Sequence, residues 1–119
     1  MSYGICLYQK TFLKKAIEED LVDWTNADDI EPIIRETIKN RMIEEGYILE
    51  RESAVSTELI HPNDKWGLQV CIFKGEVSFT IPYWDDVKRA IKEAKRGARM
   101  IAQEFNLGYY DQQDGTIEY

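Results

Sequence analysis

The pattern of apolar and polar positions changes period several times along the chain, and each change marks an element. Between residues 66 and 82 the period is two. Leu68, Val70 and Ile72 alternate with Gln69, Cys71 and Phe73, and Val77, Phe79 and Ile81 alternate with Glu76, Ser78 and Thr80. Strand side chains point to opposite faces in turn, so two such runs around Lys74-Gly75 predict a β-hairpin. Its two-residue turn wants positive φ, which Gly75 can supply. The expected register sets Phe73 opposite Glu76, Ile72 opposite Val77, Val70 opposite Phe79 and Leu68 opposite Ile81. One face is then fully apolar and the other mixed. A one-residue slip would turn both apolar rows into water, so the register is well specified. Pro82 has no N–H for the ladder and ends the strand.

From there the period becomes helical. Val87, Ile91, Ala94, Ala98, Ile101 and Phe105 fall on one face of a helix spanning about residues 85–106, with Ala90 alongside. Asp85 and Asp86 suit the positive end of its dipole, and Gly108 can close it in the left-handed conformation. Gly97 in its middle costs roughly 1 kcal/mol relative to Ala, which suggests a close contact there.

The N-terminal half repeats the alternation of periods. Tyr3 to Tyr8 reads as a strand and residues 11–22 as a helix, with Phe12, Leu13, Ala16, Ile17 and Leu21 at helical spacing. Residues 23–28 form a polar connection around Trp24, which is expected to cover an edge of the core. A second helix runs to Gly46, capped by Asp28 or Asp29, with Pro32 in its first turn. Its apolar stripe is Ile30, Ile33, Ile34, Ile38 and Met42. Tyr47 to Glu52 and Val55 to His61 read as strands, and Pro62-Asn63-Asp64-Lys65 as a turn. Tyr109 to Gln112 is expected as a last short strand, followed by a turn and a tail from Thr116 to Tyr119. This order implies one domain over residues 1–119, of class α+β: a two-layer sandwich of a mostly antiparallel sheet with helices packed on one face. A ferredoxin-like arrangement with an added strand is one topology that fits.

Charge adds a direction. The net charge is −7, and residues 1–64 carry the whole surplus, because residues 65–119 are balanced. Such acidity repels nucleic acid as a whole; the surplus reads first as a solvated surface and second as a surface matched to a basic protein partner. No apolar run approaches the 18 residues or so that a membrane span needs. The start, Met1-Ser2-Tyr3-Gly4, lacks a basic region and a signal-peptide core, so a cytoplasmic location is expected. Cys6 and Cys71 fall in predicted strands and read as buried free thiols.

Candidate chemistry is sparse. His61 is the single histidine, beside Pro62 in a turn region, and reads as an exposed loop or strand-end residue. No nucleophile motif surrounds it, and no spacing suits a metal, a cofactor or a phosphate-cradling loop. The chain is therefore expected not to be an enzyme and to use no cofactor. The outer face of the long helix is basic through Lys88, Arg89, Lys92, Lys95, Arg96 and Arg99. Without interleaved aromatics it reads as a solvated face, partly paired with the acidic N-terminal half. The candidate partner-binding residues are the acidic set Glu18, Glu19, Asp20, Asp23, Asp28, Asp29 and Glu31, and the aromatic pairs Tyr83-Trp84 and Tyr109-Tyr110. Such aromatics read first as ordinary packing residues at the rim of a core, and second as interface residues, because Tyr and Trp join apolar area to a polar tip.

Several segments together resemble a group of small, mostly uncharacterised bacterial proteins. They are Met1-Ser2-Tyr3, Asp23-Trp24-Thr25, Trp66 to Val70, Ser78 to Trp84 and Tyr110 to Gly115. That group has a similar start, an IPYW-like step into a helix and a YDPQ-G-like ending; here Gln112 stands where the ending usually has Pro. Small acidic α+β proteins of this kind are often immunity proteins of bacterial toxin systems. The resemblance implies a non-enzymatic inhibitor that occludes a basic toxin. Two alternatives stand beside it: an acidic nucleic-acid mimic that blocks a nuclease, of the kind phages encode, and a small ligand-binding domain or enzyme using the mixed sheet face around Gln69, Cys71 and Ser78.

Overall fold

The computed structural model describes residues 2–21, 23–24, 26–82 and 87–119. Tyr83, Trp84 and the Asp85-Asp86 pair expected at a helix start lie outside them. The elements in chain order are β1 (Ser2–Gln9), α1 (Lys10–Glu18), α2 (Pro32–Glu44), β2 (Ile48–Glu52), β3 (Thr57–Ile60), β4 (Gln69–Ile72), β5 (Val77–Pro82), α3 (Val87–Glu104), β6 (Leu107–Asp111) and β7 (Ile117–Glu118). They make an α+β fold. The seven strands form one sheet in the order β2-β3-β4-β5-β1-β6-β7. Every pairing is antiparallel. The ferredoxin-like topology does not form, because β2 to β5 run as a continuous meander and β1 closes against β5.

The central hairpin has the register its pattern predicts. Val70 pairs with Phe79 and Ile72 with Val77, and the Phe73 N–H donates to the Glu76 carbonyl at 2.8 Å. β1 continues the same rows, with Ile81 beside Tyr3, Phe79 beside Ile5 and Val77 beside Leu7. This apolar face packs against Ile38 and Met42 of α2 and Ala90, Ala94, Ala98 and Ile101 of α3. The alanines let α3 approach closely. A Cβ on Gly97 would lie 3.2 Å from Phe79 Cε2, so the glycine in mid-helix is matched by the Phe79 ring beneath it. Burying each large side chain here stabilises by about 1.5–3 kcal/mol, so this layer dominates the fold.

The two long helices share one face, and α1 adds a layer on the other. Phe12, Leu13 and Ala16 pack on Cys6 and Tyr8, with Leu21, Trp24, Ala27, Tyr110 and Ile117 around them. Alternation along β1 makes this possible, since Gly4, Cys6 and Tyr8 point away from Tyr3, Ile5 and Leu7. The rest of that second face, over β3 and β4, carries the half-buried Gln69 and Cys71. Cys6 and Cys71 both neighbour Ser78 from opposite sides of β5. Two strand spacings separate them by about 10 Å, too far for a disulfide. Both thiols are free, Cys6 buried and Cys71 only half-buried, where both were expected buried.

Several local expectations are corrected. Gly75 has no positive φ; its lack of a side chain instead admits the Ala27 carbonyl. Asn106, at φ 57°, makes the left-handed turn after α3, and Gly108 lies inside β6 against Leu13. The residue before α2 is Glu31, which makes no side-chain cap bond, so neither Asp28 nor Asp29 caps it. Ile33 is 68% exposed rather than part of the buried stripe, because the chain enters α2 with Ile30 already filling the core. Residues 117–118 are not a free tail but pair with β6 as β7.

Candidate partner-binding site

The acidic segment is positioned by the apolar residues spaced within it. α1 stops where Asp20 takes φ 51°, and the Leu21 N–H turns back to the Ala16 carbonyl at 3.0 Å. Leu21, Trp24 and Ala27, three apart, are the residues that pack on the second sheet face. The Trp24 indole N–H donates to the Leu21 carbonyl at 2.8 Å and fixes the ring. The segment then crosses the end of the sheet at the β4–β5 turn. There the Ile30 N–H donates to the Lys74 carbonyl at 2.7 Å, and Gln9 Nε2 donates to the Asp29 carbonyl at 3.2 Å. With the apolar residues turned inward, Glu18, Glu19, Asp20, Asp23, Asp28, Asp29 and Glu31 are all exposed.

Beside this segment lies an aromatic groove. Trp24 sits 5.3 Å from Tyr110 and 5.3 Å from Tyr8 between ring centroids, and 6.2 Å from Phe12. The groove has a volume of about 580 Å³ and is lined by Tyr8, Ala16, Ile17, Asp20, Leu21, Trp24, Tyr110 and Gln112. The Tyr8 hydroxyl donates to Glu76 at 2.7 Å; burial and that carboxylate hold its pKa far above the usual tyrosine value. Behind it, burial pushes the Cys6 thiol up, which keeps it protonated and a poor nucleophile.

The four aromatic candidates separate. Tyr110, opposite Cys6 across the ladder, faces the groove, whereas Tyr109, opposite Leu7, faces the core. Tyr109 is buried beneath α3, with the Arg99 guanidinium 5.0 Å from its ring centre, and burial pushes its pKa up to about 12. It is therefore not accessible to a partner, which corrects its place among the binding candidates. Tyr83 and Trp84 lie outside the described residues. Tyr8, Ile17, Leu21 and Gln112 were not anticipated; the one signal in the sequence was an isolated tryptophan within an acidic stretch.

The start of β1 and the turn after β6 are bound to each other. Tyr3 donates its hydroxyl to the fully buried Asp111, whose other oxygen accepts the Gln113 N–H at 3.0 Å. The Gly4 N–H donates to Gln113 Oε1 at 2.8 Å, and Gln113 Nε2 donates to the Ser2 carbonyl at 3.2 Å. These residues clamp β1 to the turn after β6, which is structural work.

The basic face of α3 is largely paired. Lys95 meets Asp114 at 3.5 Å, Arg96 meets Glu93 at 2.7 Å and Glu45 at 3.0 Å, and Arg99 meets Glu118 at 3.0 Å. Of these acidic partners only Glu45 comes from the N-terminal half. An aromatic does line this face: Trp66 stands with Arg89, Lys92, Glu93 and Arg96 around a cavity of about 350 Å³. Trp66 stacks on His61 at 4.6 Å, and His61 meets the edge of Tyr47 at 5.2 Å. Burial lowers the His61 pKa, and its Nδ1 accepts the Asn63 N–H at 3.0 Å. The histidine is thus held neutral in a packed stack, not exposed as its place beside a turn suggests. On the mixed sheet face, Gln69 borders a cavity of about 310 Å³ with Glu50, Ile60, His61, Asp64, Gly67 and Leu68, and Gln69 Nε2 donates to Glu58 at 3.2 Å. No group of three or more His, Cys, Asp and Glu among the described residues could hold a metal ion, and no described helix is long and apolar enough to cross a membrane.

Set against protein-family models, curated proteins and solved structures, the chain gives no match.

Proposed function

We propose that this protein is a non-enzymatic binding module for a basic protein, and that its specific role is to neutralise a toxin by covering its active surface. The observation that carries this reading is a segment with seven exposed carboxylates whose Asp20, Leu21 and Trp24 line the aromatic groove. Acidic residues gathered in this way raise the rate of encounter with a basic surface, while desolvated aromatic contacts slow its release. The carboxylates sit on a short helix end and a crossing segment tied to the sheet by the Ile30 N–H to the Lys74 carbonyl and by the Gln9 side chain to the Asp29 carbonyl, which lowers the ordering needed on docking.

The test is capture of the partner from the source cell, followed by association kinetics. Replacing Asp28 and Asp29 with Asn and Glu31 with Gln should lower the association rate several-fold at low salt. The difference should shrink near physiological ionic strength, where screening limits the field to about 8 Å. A captured partner that is not basic, or an association rate unchanged at both salts, overturns the proposal. Competition between this protein and nucleic acid for the same partner would mark the nucleic-acid-mimic form.

A further inference from the structure

We infer that the groove lined by Trp24, Tyr110 and Asp20 receives an arginine side chain of the partner; this rests on the protein-binding reading above and names what the groove takes.

The lining residues offer electron density and no positive charge. Trp24 and Tyr110 pack against each other, tilted by 36°, with Tyr8 nearly edge-on to the indole at 73°, and all three rings border the groove. The polar donors of two of these rings are already engaged, the indole N–H by the Leu21 carbonyl and the Tyr8 hydroxyl by Glu76. Gln112 directs its amide N–H to Cys6 Sγ at 3.4 Å, which leaves its carbonyl oxygen as an acceptor. Asp20 completes the lining with a carboxylate, and neither Lys nor Arg is among the lining residues.

Ring faces, an amide oxygen and a carboxylate select for a cation. An anionic group would be repelled by Asp20 and by the negative ring faces. A purely apolar side chain would bury the Asp20 carboxylate without a partner. Guanidinium fits better than ammonium for two reasons. Its plane stacks on an indole or phenol face, and its rigid fork of donors reaches a carboxylate and an amide oxygen together. It is also more weakly hydrated, so less is lost on entering a groove with apolar walls from Ala16, Ile17 and Leu21.

The test uses the full chain with tetra-arginine, tetra-lysine and tetraglutamate peptides at low salt, followed by the indole N–H resonance of Trp24 in two-dimensional NMR. Tetra-arginine should shift that resonance in a saturable way, tetra-lysine should bind more weakly, and tetraglutamate should not bind. Asp20→Asn removes the charge while keeping a residue that tolerates the left-handed backbone. It should weaken tetra-arginine about tenfold, the loss expected for one well-placed ion pair. Tyr110→Leu keeps apolar bulk and removes a ring face, and should weaken it by roughly fivefold with little change in thermal stability. Binding that leaves the Trp24 resonance unmoved, or that survives both substitutions, overturns the groove assignment while leaving the acidic segment as a general docking surface. No binding of tetra-arginine up to millimolar concentration overturns the assignment as well. The wider reading is decided separately, by whether the captured partner is basic.

Discussion

Replacing Gly75 by alanine tests how the acidic segment is held against the sheet. Gly75 is not in the left-handed region, so alanine can adopt its backbone conformation without strain. The obstacle is space. A Cβ built there lies 2.7 Å from the Ala27 carbonyl oxygen and 3.0 Å from the Ala27 Cβ. A backbone carbonyl cannot swing aside as a side-chain tip does, and three residues on, the Ile30 N–H pins the chain to Lys74 at 2.7 Å. Overpacking of this kind costs about 1–3 kcal/mol. With a urea slope of about 1.5 kcal/mol/M, the midpoint should fall by roughly 0.7–2 M. Gly4→Ala is the matched control: it sits in β1 without positive φ, and its nearest obstacle is the Gln112 Oε1 atom at 3.7 Å, an ordinary contact. There the loss of unfolded-chain freedom should stabilise by about 0.4–1 kcal/mol. The two substitutions should therefore move the melt in opposite directions. Adding Ala27→Gly to Gly75→Ala should recover only part of the loss, since the carbonyl remains. A Gly75→Ala protein that melts at or above the parent would refute the argument that this glycine exists to admit the crossing segment.

Other expectations follow from the same geometry. Phe79→Ala, beneath Gly97 on the buried face, should cost roughly 3–5 kcal/mol, whereas Thr80→Ala on the half-buried opposite face should cost under about 1 kcal/mol; equal effects in urea melts would mean that both faces are equally packed. His61 titrates below its ordinary value because it is buried. Its unfolded form thus takes up a proton first, and stability should fall as pH drops below about 6.5 and through the lower folded value. His61→Phe should remove that part of the pH dependence, and an unchanged profile in denaturant melts across pH 5 to 7 would count against the stacked neutral histidine. A second loss should come in more acid solution. Burial raises Glu93, but bonds from Arg96 and Tyr47 outweigh it and hold it low, and Arg41 and Arg96 lower Glu45. Carboxylates held low contribute stability above their unfolded pKa and lose it as pH falls through the folded one. Glu45→Gln should blunt this limb below the usual carboxylate range.

The hairpin and the two long helices were legible in the sequence because their determinants are local. Period-two alternation on both sides of Lys74-Gly75 is enough to specify the register of β4 and β5. A 3.6-residue period does the same for the buried stripe of α3, and the alanines in that stripe already implied the close approach that the Phe79 ring makes to Gly97. What covers each face was not legible. Periodicity tells which residues of one element share a side, but not which other element arrives there, since that depends on contacts far apart in the chain. Tyr109 and Tyr110 are neighbours of one residue type, yet pairing with Leu7 and Cys6 sends one under α3 and the other into the groove. Residues 117–118 carry too few side chains to announce a strand and become one only because β6 offers a free edge. The acidic character of residues 18–31 was determined by the sequence alone. That the segment bearing them runs along an aromatic groove, with Asp20 in its lining, was decided by the packing of Leu21, Trp24 and Ala27 on the second face of the sheet, where β1 and β6 had left Cys6, Tyr8 and Tyr110 to be covered.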